Sequence, residues 1–279
     1  MLIRDVNTII ARYVCRSSDM LWIDMGRIDW SMLSRNPHPR AIALLDANPD
    51  RIDWWGLSGN ENHNAIVLLR ANQDKIVWWR LSTNAHADAV AMLLANPNQI
   101  DLHYLSANEH TDAIALLRAN QNGINWMYLC MNEHSDAIAL LRANQDKISW
   151  AWLSRNAHPD AVALLHANQH RIDWSQLSVN VHPDAIALLR ANQDKIDWVW
   201  LSGNVHPDAI ALLCANPGWI DWTCLSANTH PDAIALLRAN PKRIIWRELS
   251  ANPVLFTTDP VRYRANVDFM TKFLTRIQT

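Results

Sequence analysis

The sequence predicts an all-α protein, an α-solenoid of about ten stacked 24-residue helix-turn-helix repeats with helical caps. The first observation behind this fold class is a leucine, followed by serine or once by cysteine, that returns every 24 residues without insertion or deletion. The second is an asparagine three residues after each leucine, and the first nine of these asparagines are followed twelve residues later by another asparagine that an alanine precedes. The third is a tryptophan three residues before nearly every one of these leucines. The ten leucines are Leu33, Leu57, Leu81, Leu105, Leu129, Leu153, Leu177, Leu201, Leu225 and Leu249.

The first half of each repeat is expected to be a short helix, as residues 205–216 illustrate. Pro207 is tolerated only in the first turn of a helix, so it occupies the first helical position and His206 lies near the cap. Asp208 then benefits from the positive end of the helix dipole. Asn216 ends the helix, and the pattern predicts that it adopts the left-handed conformation of a C-terminal cap.

The second half of the repeat is expected to be another short helix that begins after the N-cap residue Asp221. Ile220 before the cap and Leu225 inside the helix form a hydrophobic staple. Asn228 closes this helix as Asn216 closes the first. At the N-cap position other repeats carry Ser149 and Asn125, which are expected to cap, and Val77 and Ile245, which cannot.

One such hairpin cannot fold alone, because ordering its backbone costs about 1–2 kcal/mol per residue and it buries few large side chains. Neighbouring repeats must supply the missing burial, so the hairpins are expected to stack. The predicted organisation is an N-terminal cap with a degenerate repeat at 1–29, nine helical-hairpin repeats at 30–252, and a C-terminal capping helix at 253–279.

Charge and composition exclude several classes of function. The 25 Lys and Arg residues against 27 Asp and Glu give a net charge of −2, which lacks the basic signature of a general nucleic-acid binder. No apolar stretch approaches the roughly 20 residues that span a bilayer, and the start of the chain does not resemble a signal peptide. The four cysteines show no CxxC spacing. An intracellular protein without a membrane segment is expected.

The sequence also predicts that the protein is not an enzyme and has no catalytic residues, cofactor or metal. It contains no P-loop, GxGxxG, GxSxG or HExxH motif, and only four glutamates. A regular period argues in the same direction, because a catalytic site needs several different residues that converge once.

Histidines and aspartates recur at the start of the first helix of the repeat. A metal array is not expected, because equivalent positions in stacked helices lie roughly 8–10 Å apart, too far for adjacent imidazoles to share one ion. Capping of helix starts is the favoured interpretation, with metal binding and pH sensing as alternatives. Thermal stability is then expected to differ little between about pH 5.5 and 7.5. The histidines, called here the histidine column, are His38, His86, His110, His134, His158, His182, His206 and His230.

The asparagines and the periodic tryptophans are expected to be structural. Amide side chains in columns are typical of ladders that recognise a ligand, but helix capping accounts for both columns. The tryptophans keep a fixed distance to the core leucine and are predicted to lie in the core rather than in a ligand cage. These framework tryptophans are Trp30, Trp54, Trp78, Trp126, Trp150, Trp174, Trp198, Trp222 and Trp246.

The two positions that follow each framework tryptophan should point away from the core, yet several carry large aromatic side chains. A row of exposed aromatics is what a partner-binding surface requires. The alternative is that the rings pack on the neighbouring repeat. The candidate partner-binding residues are Trp55, Trp79, Tyr104, Tyr128, Trp152 and Trp200.

The motif Ile-Asp-Trp-x-x-Leu-Ser-x-Asn followed by Ala-Ile-x-Leu-Leu-x-Ala-Asn resembles short repeats in many proteins of the giant nucleocytoplasmic DNA viruses. The resemblance covers about residues 30–252, and the exit at 249–256 into a terminal helix is also similar. The frequent His-Pro-Asp, Val77 and Leu102 depart from the pattern. The resemblance implies a viral protein of the host cytoplasm or virion with an α-helical repeat fold, and it supplies no catalytic residues.

These observations together favour a non-enzymatic scaffold for protein–protein interaction with a viral or host partner. The main alternative is a modular reader of single-stranded RNA, in which two variable side chains per repeat contact one base. The cancelled charge disfavours nucleic acid as a partner. No membrane partner is expected, and the sequence leaves the oligomeric state open.

Overall fold

A computed structural model describes residues 25–256 of the protein. Within this range the chain is all-α and contains no strand, so the predicted fold class, an α-solenoid of stacked helical hairpins, is confirmed. Most of the predicted N-terminal cap (1–29) and of the predicted C-terminal capping helix (253–279) lies outside the described residues.

Nineteen α-helices alternate between a short and a long type along residues 30–251. The ten short helices are α1 (Trp30–Arg35), α3 (Trp54–Ser58), α5 (Trp78–Ser82), α7 (Leu102–Leu105), α9 (Trp126–Met131), α11 (Trp150–Arg155), α13 (Trp174–Ser178), α15 (Trp198–Gly203), α17 (Trp222–Ala227) and α19 (Trp246–Ala251). The nine long helices are α2 (Pro39–Asp46), α4 (His63–Ala71), α6 (Ala87–Ala95), α8 (Thr111–Ala119), α10 (Ser135–Ala143), α12 (Pro159–Ala167), α14 (Pro183–Ala191), α16 (Pro207–Ala215) and α18 (Pro231–Ala239). A 3₁₀ turn follows each long helix.

The contacts divide the described residues into two compact units, with the boundary between Leu164 and Leu165. Within each unit, short helices pack on the next short helix and long helices on the next long one, as in α1 with α3 and α14 with α16. The interior is filled by the alanine, isoleucine and leucine residues of the long helices and by the leucine of the short ones. Ile210, Leu213 and Leu225 are at most 1% exposed. Each hairpin therefore buries its apolar face against its neighbours.

The predicted N-caps of the short helices are largely confirmed. Asp221 accepts a hydrogen bond from the Cys224 N–H at 2.8 Å, and Asn125 caps α9 in the same way. As expected, the starts at Val77 and Ile245 have no side-chain cap. The prediction for Ser149 is wrong. Its hydroxyl is one bond shorter than a carboxylate, and at this backbone geometry it makes no cap bond.

The prediction of left-handed asparagine caps is also wrong. Asn216 has φ −131° and ψ 59°, and none of the described non-glycine residues has a positive φ. The helix ends instead because the Asn216 side chain donates from Nδ2 to the Leu212 carbonyl at 3.0 Å and satisfies one of its last free acceptors. Asn192 closes α14 by the same bond to Leu188.

The asparagines after the short helices do more than cap. Asn204 is buried, and its Nδ2 donates to the carbonyls of Ser178 and Asn180 in the preceding repeat at 3.0 and 2.9 Å. Its Oδ1 accepts from the His206 N–H at 2.9 Å, so every polar group of the amide is used. Capping alone is therefore an incomplete account. The bonds to the preceding repeat recur at Asn60, Asn84, Asn108, Asn132, Asn156, Asn228 and Asn252.

A second link between repeats comes from the serine that follows nine of the ten core leucines, a residue that served in the sequence only as a landmark of the period. The Ser202 hydroxyl donates to the Trp198 carbonyl at 2.7 Å and accepts from the Asp221 N–H of the next repeat at 3.0 Å. Serine fits because its hydroxyl both donates and accepts while occupying little space. This double role explains the constancy of Leu-Ser in the period.

The framework tryptophans line the rim of the core instead of filling it, which corrects the prediction. None of them is fully buried, and Trp246 is 63% exposed. A ring at the first position of such a short helix has one face left for the loop of the next repeat. Lys195 lies with Nζ 4.7 Å from the Trp174 ring centre, whereas Trp219 stacks on Trp198 at 6.2 Å. The half-buried members are Trp30, Trp54, Trp78, Trp126, Trp150, Trp174, Trp198 and Trp222.

Candidate partner-binding surface

Four of the six candidate aromatics form one continuous contact series, called here the aromatic row: Trp55, Trp79, Tyr104 and Tyr128. The ring centres of consecutive members lie 6.3, 4.8 and 6.3 Å apart, with interplanar angles of 35° to 55°. His103 packs edge-on against Tyr104 at 5.3 Å and Tyr128 at 5.2 Å. The row thus runs across four successive short helices, α3 to α9.

The aromatic row is packed on neighbouring repeats and also reaches the surface. Trp79 is 37% exposed, and the other three rings are half-buried. Met127 and Met131 on α9 are each 38% exposed and add apolar surface to the same short helix as Tyr128. The rings therefore pack on neighbouring repeats, as the alternative proposed, and they are still partly exposed at the surface. Contact with their neighbours fixes the rings, which lowers the entropy that a partner would have to remove.

The two remaining candidates stand apart from the row. Trp152 on α11 is half-buried, and no ring contact joins it to Tyr128. Trp200 on α15 is 51% exposed and lies in the second unit, next to Val199 at 49%. The structure thus brings four of the six predicted residues together and leaves two separate.

The histidine column caps the long helices, as the sequence predicted. In His206 the Nδ1 atom accepts a hydrogen bond from the Asp208 N–H at 3.1 Å, and the other seven histidines repeat this bond at 3.1–3.2 Å. An accepting Nδ1 carries no proton, so the neutral ring holds its proton on Nε2. In agreement, Nε2 of His134 lies 3.2 Å from the Thr111 hydroxyl.

Seven of the eight rings in the histidine column are half-buried, and His38 is exposed. The side chains of His182 and His206 are only 17% and 18% exposed, and that of His86 is 26% exposed. Each ring lies over the start of its own helix because the cap bond holds it there. The carboxylate of Asp208, in contrast, is 55% exposed and pairs with Arg190 at 3.6 Å.

One group of side chains in the described residues has the composition of a metal site: His63, His86 and Asp88. In this repeat Asn62 occupies the cap position that a histidine occupies in the other repeats, and the histidine, His63, is the next residue. His63 Nδ1 lies 3.0 Å from Asp88 Oδ2, and the guanidinium of Arg70 lies 3.5 Å from Oδ1. The His86 Nδ1 lone pair already accepts from the Asp88 N–H. The cluster is thus satisfied by hydrogen bonds and a cation, and it carries no metal assignment.

Cys130 and Cys224 have raised pKa values and are therefore poor nucleophiles. Burial raises the pKa of the Cys130 thiol to about 11, despite a hydrogen bond from the Ser149 backbone that lowers it. Burial also raises the pKa of Cys224, with a further contribution from the charge of Asp221. Both residues are therefore thiols at neutral pH, and Cys130 takes the place of the serine that links repeats elsewhere.

Iodoacetamide at neutral pH is accordingly expected to alkylate the exposed Cys214 much faster than Cys130 in the folded protein. Mass spectrometry of tryptic peptides after timed quenching measures both rates in one sample. In urea, where burial is lost, the two rates are expected to converge. Equal rates in the native protein would contradict the assignment of Cys130 to the closed interior.

Comparison of the chain with known protein families, with curated proteins and with solved structures found no match. Among the described residues, none of the helices combines the length and the apolar character required to cross a bilayer.

Proposed function

We propose that the chain is a non-enzymatic helical-repeat scaffold that binds another protein through the aromatic row. The observation that carries the proposal is the series of ring contacts from Trp55 to Tyr128, partly exposed on consecutive short helices. Protein interfaces concentrate their binding energy in tryptophan and tyrosine side chains that are held in place before the partner arrives. The exposed Met127 supplies the adaptable apolar contact that such surfaces use.

A protein partner fits the row better than single-stranded RNA. Bases stack on free, parallel ring faces, whereas consecutive rings here contact each other and are tilted by 39° and 55° at the start of the row. The net charge of −2 also gives the chain no general attraction for phosphate. The resemblance to repeats of giant viruses supports placing this scaffold in the cytoplasm of an infected host cell or in the virion.

The test is affinity purification from infected-cell extract with the wild type and with the double variant Trp79→Ala/Tyr104→Ala. We expect the partner to be lost from the eluate of the double variant, with at least a tenfold loss of affinity, because truncating a central aromatic anchor typically costs about 2 kcal/mol or more. Trp219→Ala is the matched control, since Trp219 is 65% exposed but lies outside the row. Circular dichroism verifies that each variant is folded.

Identical partner lists for the wild type and the double variant would overturn the assignment of the row. Loss of the partner with Trp200→Ala alone would instead move the binding surface to the second unit. Capture of RNA that disappears at high salt would favour the alternative of a nucleic-acid reader.

A further inference from the structure

Two arginines flank the first ring of the aromatic row. Arg35, at the end of α1, lies with Cζ 4.3 Å from the Trp55 ring centre, and Arg80 on α5 lies with Cζ 5.1 Å from it. Trp55 itself is on α3, so the three side chains come from three successive repeats. Guanidinium groups at such distances are attracted to the indole and are held in place by it.

Two glycines of α3 make room for these arginines. A Cβ atom at Gly56 would lie 3.0 Å from Cγ of Arg35, and a Cβ at Gly59 would lie 2.4 Å from Nε of Arg80. The equivalent positions mostly carry larger side chains in the other repeats, such as Tyr104 and Tyr128. Both arginines therefore pack directly on the α3 backbone, and this repeat differs from the others in a way that the scaffold itself does not require.

The two guanidinium groups have no acidic partner within the part of the chain that the structure describes. The carboxylate of Asp53 lies beside Gly56, but its oxygens already accept from the Trp55 N–H and from the Ser31 hydroxyl. Nε of Arg80 is buried without an acceptor, and among the described residues it is the one buried side-chain nitrogen or oxygen in this state. An unsatisfied buried donor lowers the stability of the fold, so the position of Arg80 needs a functional explanation.

We infer that Arg35 and Arg80 form a clamp for a carboxylate group on the protein that the aromatic row binds. The inference rests on the proposed function and adds the partner's chemistry: an acidic segment, with its carboxylate next to apolar residues that contact Trp79 and Tyr104. A fixed guanidinium binds a carboxylate through two parallel N–H bonds, and the second arginine adds a positive charge at the same indole ring. A phosphate group has the same oxyanion chemistry, and the experiment separates the two sources.

The indole N–H resonance of Trp55 reports on this site in ¹H–¹⁵N spectra of the full chain, and Trp55→Phe assigns it. The probes are a capped hexaglutamate peptide, the matching hexaglutamine peptide and sodium phosphate, all at equal ionic strength. We expect saturable shifts with hexaglutamate and none with hexaglutamine. Binding should weaken at least about tenfold in Arg35→Gln and in Arg80→Gln, because charge-assisted hydrogen bonds are lost.

Two further variants sharpen the result. Gly59→Ala retains both charges but forces the Arg80 guanidinium away from its position, so it should weaken hexaglutamate binding like Arg80→Gln. Arg155→Gln is the matched control, since Arg155 ends α11 as Arg35 ends α1 and its loss changes the net charge equally. It should leave binding at Trp55 unchanged.

The clamp is overturned if hexaglutamate leaves the Trp55 resonance unmoved, or if Arg155→Gln weakens binding as much as Arg80→Gln. It is equally overturned as a carboxylate site if phosphate saturates the resonance at lower concentration than the peptide. Failure of the clamp can be distinguished from failure of the proposed scaffold function. The variant Trp79→Ala/Tyr104→Ala tests capture of the partner and leaves Arg35 and Arg80 unchanged.

Discussion

Replacing Asn204 with alanine is expected to lower the free energy of unfolding by about 3 kcal/mol. The substitution removes the side-chain donor that binds the buried carbonyls of Ser178 and Asn180, and it removes the acceptor of the His206 N–H. An unsatisfied buried polar group costs about 1–3 kcal/mol. Because the amide joins two consecutive repeats, the loss also weakens their interface, on which the cooperativity of a repeat array depends.

The matched control is Asn216→Ala, which removes the same side chain from the end of a long helix. Asn216 is half-buried and donates one bond, to Leu212 within its own helix, so we expect a loss of about 1 kcal/mol or less. Urea unfolding followed by circular dichroism at 222 nm compares the two variants. Asn204→Asp should be worse than alanine at neutral pH, because it buries a carboxylate against two carbonyl oxygens. Equal losses for Asn204→Ala and Asn216→Ala would contradict the inter-repeat role.

Asn204 bonds to the preceding repeat and Asn216 bonds within its own helix, and the sequence could predict only bonds of the second, local kind. Periodicity and cap chemistry are local, so the helix starts at His206 and Asp221 followed directly from the sequence. The bonds of Asn204 and Ser202 reach a neighbouring repeat, and their partners are defined only once the hairpins are stacked. An asparagine after a helix is compatible with a left-handed cap, a side-chain cap or a bridge, and only packing selects among them.

The candidate surface divides in the same way. Helical spacing placed Trp79 and Trp152 at the two positions of the repeat that should point away from the core, but their exposure and ring contacts depend on the residues of the next repeat. Trp79 meets Tyr104, whereas Trp152 has no such ring neighbour in the row. The position of Arg80 depends on the absence of a side chain at Gly59. The sequence of one repeat does not predict which side chain of the next repeat will occupy the space that a glycine leaves.

Acidification is expected to destabilise the protein, which revises the expectation from sequence that stability differs little with pH. Each Nδ1 atom of the histidine column accepts a backbone N–H bond, and a protonated ring has no lone pair with which to accept it. The caps are present when the rings are neutral and are lost when the rings take up a second proton. Each of the eight caps is worth about 0.5–2 kcal/mol, so their losses add along the chain.

The carboxylates beside the rings oppose this loss. Oxygens of Asp184, Asp208 and Asp232 lie 3.8–4.0 Å from the Nδ1 atoms of the preceding caps and favour a charged ring. Arg190 offsets part of this effect, because its guanidinium pairs with Asp208 at 3.6 Å. These carboxylates are 55–80% exposed, so solvent screens their attraction to the ring. Loss of the cap should therefore dominate.

The variant that separates the two effects replaces His182, His206 and His230 with asparagine. Asn62 occupies the same position in its own repeat and caps α4 through its side chain, so asparagine is a native solution that does not titrate. We expect the thermal midpoint of the wild type to fall by several degrees more than that of the triple variant between about pH 7.5 and 5. Equal shifts in the two proteins would mean that the carboxylates compensate fully and that the histidine caps tolerate a proton.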